Sequence, residues 1–221
     1  MPNFYNCEQI VWKQKDFLEG IINVANRGIC FALSISWLSL CYKRIHLTDD
    51  DLLIARIKDA FEETTKHKMI LGNVALNAIL FQQEYTQEER PGDFNRFLEF
   101  CKKYINEIFK FYDVEDNVTA TVSYEFDNLN MADKIIHAIT VESVNSMVNM
   151  GIIGFYYNHQ VMNKRGKHAI AVIRAHGQYF VFDPNFGLCY CNSNERFRNF
   201  IEEFVEKYQI KNGVVAKCEA V

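Results

Sequence analysis

The chain has 221 residues, of which 49% are hydrophobic and 24% charged, with 18 Phe and 11 Tyr. This length and apolar content suffice for a well-packed core and exclude wholesale disorder. A formal net charge of -4 leaves no electrostatic footprint for nucleic acid and is too slight to name a basic partner.

The opening "MPNFYNCEQIVWKQKDFLEG" lacks a basic stretch followed by an apolar one, so no cleavable signal peptide of the Sec type is expected. No apolar run approaches the roughly 20 residues that span a bilayer, so no integral membrane segment is expected. Pro2 stands where N-myristoylation would need glycine. Cys7, Cys30, Cys41, Cys101, Cys189, Cys191 and Cys218 are scattered without paired spacing. Their odd number reads as reduced thiols in a cytosol-like, reducing compartment. With three prolines, ten glycines and no repeat or low-complexity tract, the chain reads as a single domain over 1–221.

From Cys30 to Tyr42 the pattern is a buried helix. "TDDDLLIARIKDAFEETTK" is a second helix, with Thr48 as N-cap and acidic residues in its first turn. A helix is expected over Met69 to Gln83. Another starts near Asp93, with Phe94, Phe97, Leu98 and Cys101 on one face. "NVTATVSYEF" alternates and is β-branched, as a strand does, and a helix is expected from Asn130 to about Met150. After Gly151 the texture changes to short strand-like runs, "IIGFYYN", "KHAIAVIRA", "QYFVFDP" and "GLCYCN", with "AHGQ" as a tight hairpin connection. "NERFRNFIEEFVEKY" returns to helix, capped by Ser193 or Asn194. Helices followed by antiparallel strands predict an α+β fold with the helices on one side of a sheet.

Cysteine becomes a useful nucleophile when a helix N-terminus and an imidazole lower its pKa. Cys30 begins its helix directly after "NRGI", where unpaired N–H groups and the helix dipole favour a thiolate and can hold an oxyanion. Taken alone, a helical cysteine is more often packing. His168 begins one strand and Asp183 ends the next, just before Pro184. Pairing through "AHGQ" would bring the two within reach, and the carboxylate could fix the imidazole tautomer. Separately, His168 could face solvent on an edge strand, and Asp183-Pro184 could merely start a turn. The hairpin joining them raises the catalytic reading above both.

These segments also carry a resemblance. "GICFALSISWL" resembles the nucleophile segment of the YopT-type bacterial effector cysteine proteases, of the papain-like clan. "HAIAV" followed by "YFVFDPNFG" resembles that family's His and Asp segments, in the same order. The resemblance implies a papain-like α+β fold, with Cys30 as nucleophile, His168 as general base and acid, and Asp183 as the orienting residue. It also implies an upstream Asn or Gln for the oxyanion. Asn26 and Asn23 lie in that region, and Asn26 is preferred, with the Cys30 N–H as its companion donor. No cofactor is implied. A bacterial protein secreted without a cleaved signal peptide, acting on a host protein in the host cytosol, is. With 29 residues ahead of Cys30, neither a long self-cleaved segment nor a lipid attached after such processing is expected.

Other residues compete less well. Cys189 and Cys191 form C-x-C, but no second pair completes a metal set, so both read as packing. His46, His67, His137 and His159 have no spaced carboxylate, and His176 belongs at the hairpin tip. Trp37 reads as core rather than pocket wall, and Ser34 and Ser36 lack an independent base. The acidic runs "TDDD" and "QEYTQEERPGD" read as solvated helix starts before they read as a basic-substrate face. A glutamine deamidase or transglutaminase-like effector would use the same three residues. A non-catalytic binding module on this scaffold would have no need of all three.

Overall fold

The computed structural model describes residues 7–13, 30–45, 52–66, 94–111, 114, 118–127, 129–140, 148–159 and 164–220. In chain order its elements are β1 (Glu8–Val11), α1 (Cys30–Ile45), α2 (Leu53–Lys66), α3 (Phe94–Phe111), β2 (Val118–Asp127), α4 (Met131–Thr140), β3 (Val148–His159), β4 (Lys164–Ala175), β5 (Gln178–Asp183), β6 (Gly187–Cys191), α5 (Asn194–Tyr208) and β7 (Ile210–Ala220). Thr48, the expected helix over Met69 to Gln83, and Asp93 lie outside the described residues.

The strands form one seven-stranded sheet in the order β1-β6-β5-β4-β3-β7-β2. Every neighbouring pair is antiparallel. β4 and β5 are joined by His176-Gly177, with φ of 49° and 76°. Two successive left-handed residues suit the two-residue turns whose twist matches that of the flanking strands. His176 thus sits at the hairpin tip, where the sequence puts it.

Alternate side chains of the central strands serve two cores. Ala169, Ala171 and Ile173 of β4, with Phe180 and Phe182 of β5, pack with α1, α2 and α3. Ile170 and Val172, with Tyr179 and Val181, pack with α4 and α5 on the opposite face. Helices therefore cover both faces, not the single side expected. The cause is legible in "HAIAVI": a strand apolar at successive positions has no face to offer to water.

α1 is buried almost all round, from Cys30 to Tyr42, and lies between the sheet and its neighbouring helices. Trp37 is fully buried and packs on Phe182 at 5.6 Å between ring centroids, so it is core, not pocket wall. α5 starts at an N-cap, Ser193, whose side chain accepts from the Arg196 N–H. Its buried residues Phe197, Phe200, Ile201, Phe204 and Tyr208 form one helical stripe against the sheet. The helix closes at Gln209 in the left-handed region, φ 51°.

Three further expectations need correction. The helix expected to run to Met150 is described only as Met131–Thr140, and β3 already begins at Val148. Val148, Asn149 and Met150 pair with Ala175, Arg174 and Ile173, and this pairing overrides local helical propensity. β7 was not expected at all, although it lies inside the sheet between β3 and β2. Cys191 is not simply packing, nor are all seven thiols reduced: Cys7 and Cys191 form a disulfide, while Cys30, Cys41, Cys101, Cys189 and Cys218 are free.

Candidate active site

The β4–β5 ladder ends with Ala171 opposite Phe182. One further step sets Asp183 opposite Ile170, and His168 is then its diagonal neighbour on the same face. The side chains complete that approach, with His168 Nε2 lying 2.7 Å from Asp183 Oδ1. Both residues are buried, at 5% and 1% exposure, so the bond is shielded from competing water.

α1 supplies the third group. Ser34 Oγ donates to the Ala169 carbonyl at 3.3 Å, tying the helix to β4 one residue from His168. Cys30 lies one turn before Ser34 on the same helical face, which directs it to the start of β4. It stands close enough to the His168 ring for its charge to act on the imidazole. Asp183 occupies Nε2, which leaves Nδ1 as the nitrogen available to the sulfur.

Burial pulls the imidazole pKa down. The charges of Asp183 and Cys30, and the Asp183 hydrogen bond, more than offset this and push it from 6.5 up to about 10. The ring is therefore held as imidazolium. Cys41, at the far end of the same helix, has its pKa raised well above the usual thiol range by burial, as an inert packing residue should.

The rest of the surround was not anticipated from sequence. The Asn185 backbone N–H donates to Asp183 Oδ1 at 2.7 Å, and its Nδ2 lies 3.3 Å from the Tyr208 hydroxyl and 3.4 Å from His168 Nε2. The Tyr208 hydroxyl donates to Asp183 Oδ2 at 2.8 Å. The Tyr208 ring stacks on His168 at 24°, and Phe155 meets the imidazole edge-on at 86°. Asn185 sits inside the quoted "DPNFG", a signal that could have found it. Tyr208 ends a helix stripe and carries no motif.

Asn26 and Asn23 lie outside the described residues, as do His46 and His67. His137 packs edge-on against Tyr124. Ser36 is fully buried. Among the described residues no group of three or more His, Cys, Asp or Glu could hold a metal, and no helix is long and apolar enough to cross a membrane.

Helices on a mainly antiparallel sheet, with a helix-start cysteine beside a histidine–carboxylate pair, define a papain-like cysteine protease fold. Among solved structures the chain is similar to the Pseudomonas avirulence protein AvrPphB, with a TM-score of 0.52 at 13% identity over 92% of this chain and 100% of that one. It is also similar to PatoxP, a cysteine protease-like domain of the Photorhabdus asymbiotica toxin PaTox, with a TM-score of 0.30 at 11% identity over 95% of this chain and 90% of that one. No curated protein matches the chain. The chain belongs to the Peptidase_C58 family, described as Yersinia/Haemophilus virulence surface antigen, which matches residues 6–217. It is a protease-type effector of the YopT kind.

Proposed function

We propose that the chain, acting as a single domain over 1–221, is an active cysteine peptidase that cleaves a host protein in the host cytosol after secretion from a bacterium. The observation that carries this reading is the buried His168–Asp183 bond of 2.7 Å, with Cys30 at the start of α1 close enough for its charge to act on the same ring. No cofactor enters the scheme.

The Cys30 thiolate adds to the scissile carbonyl carbon, and the carbonyl π pair moves onto oxygen. The N–H of Cys30, at the start of α1, and the Asn26 amide hold that oxyanion. The imidazolium of His168 gives a proton to the departing amine as the C–N bond breaks, leaving a thioester on Cys30. Neutral His168 then takes a proton from water, whose oxygen attacks the thioester. Collapse expels the thiolate and the new carboxylic acid, and His168 is again protonated. Asp183 keeps the ring aimed throughout and stabilises its charged form.

The test is a comparison of host-cell extract treated with wild type and with Cys30→Ala, read by terminal-peptide mass spectrometry. New chain termini present only with wild type support proteolysis. A mass gain of about one dalton on a glutamine without cleavage would replace peptidase by deamidase, since thiolate attack on a side-chain amide uses the same general acid–base machinery. Identical digests, with Cys30 no more reactive than an ordinary thiol, would leave a binding module.

A further inference from the structure

Asp183 divides its two carboxylate oxygens between separate tasks. Oδ1 accepts from the Asn185 backbone N–H and faces His168 Nε2. Oδ2 points the other way, to the Tyr208 hydroxyl at 2.8 Å. An aspartate held through one oxygen can turn about its Cβ–Cγ bond, whereas one held through both has a fixed plane. Tyr208 is able to serve as that second anchor. It is 8% exposed and is the last residue of α5, with its ring locked among Phe155, Phe204 and Phe186. Burial, followed by the charge of Asp183, holds its phenol well above the ordinary range, so it stays a donor. Asn185 Nδ2 donates to the same hydroxyl oxygen, which leaves the phenolic hydrogen directed at Oδ2.

We propose that Tyr208 is a positioning residue of this site: its hydroxyl fixes Asp183 through Oδ2, so that Oδ1 stays aimed at His168 while the imidazole shuttles its proton. The proposal rests on the peptidase reading above. Two consequences separate it from a packing role. The hydroxyl, not the ring, carries the effect, because the ring's stacking on His168 survives in Tyr208→Phe. The effect also runs through Asp183, so it vanishes when that carboxylate is gone.

The experiment follows alkylation of Cys30 by iodoacetamide across pH in the full chain, read by mass spectrometry of the Cys30 peptide, and so needs no known substrate. Ionisable groups around Asp183 are His168 of β4, Cys189 of β6, Lys207 and Tyr208 of α5, and Tyr157 of β3. None of the others is altered in Tyr208→Phe. Tyr208→Phe should slow alkylation at mildly acidic pH about tenfold, the effect of losing one hydrogen bond to a charged group. It should move the acid limb up by about one pH unit, because a less firmly held imidazolium leaves the thiolate easier to protonate. In an Asp183→Ala background the same substitution should change nothing further, whereas a packing defect would add. A Tyr208→Phe rate equal to wild type, or equal additive losses in both backgrounds, overturns the proposal alone. An unchanged rate in His168→Ala overturns the peptidase reading and the proposal with it.

Discussion

Gly187 shows how closely a single position can be specified beside the site. Its φ is 104°, and a Cβ built on it would lie 2.0 Å from the Ile10 carbonyl oxygen and 2.7 Å from the Trp12 nitrogen. Both neighbours are backbone, so neither can swing aside, and the left-handed φ adds strain for any L side chain. Gly187→Ala should therefore cost roughly 3 kcal/mol in urea unfolding. An unchanged midpoint would mean that β1 does not lie where it is placed. The disturbance should reach the active site, because Gly187 pairs with Asp183 and the Phe186 carbonyl accepts from Trp12 N–H and Gln9 Nε2. Cys30, His168 and Asp183 can be singled out in the sequence because each lies in a strongly patterned local string, and a tight turn links the strands of the last two. Tyr208 cannot be, since its role arises only when α5 folds back onto the sheet. No local pattern in "FVEKY" distinguishes it from the other stripe residues.

At the level of elements, β1 is a short, largely exposed edge strand. It has four residues, Ile10 and Val11 are 38% and 49% exposed, and among the described residues its sheet partner is β6 alone. Glu8 pairs with Tyr190, so Cys7 falls opposite Cys191, and the disulfide staples the strand's leading end. The bridge closes a sequence separation of 184, for which chain entropy gives a stabilisation of about 2–5 kcal/mol. Oxidised wild type should unfold at higher temperature than the same protein in excess dithiothreitol, and Cys7→Ser should match the reduced form and ignore the reductant. A wild-type midpoint indifferent to dithiothreitol would count against the staple. The pairing could not be read from sequence, because it depends on the β1–β6 register across almost the whole chain. β7 escaped for a related reason. Its uninterrupted apolar stretch, Val214 to Ala216, follows Asn212-Gly213, so locally it resembles a turn more than a buried strand. β3 and β2 on either side supply the order that its own pattern lacks.

For the molecule as a whole, the buried ion pair links folding to pH. His168 has its pKa raised from 6.5 to about 10 by Asp183 and Cys30, which outweigh its burial. In the unfolded chain the imidazole returns to the ordinary value. Between the two values the native state holds a proton that the unfolded state has released, so the derivative of unfolding free energy with pH is negative. The contribution is present in full below about 6.5, declines as pH rises, and is gone above about 10. His168→Gln removes the titration while keeping a polar side chain of similar reach. Urea unfolding of both proteins across this window should give a difference that favours wild type most at the acid end and shrinks steadily toward the alkaline end. Subtracting the two curves cancels the carboxylates and lysines that they share. A difference that instead grows with pH would mean that the folded imidazole is neutral, which removes the imidazolium from the first proton transfer and with it the ready-made ion pair of the proposed mechanism.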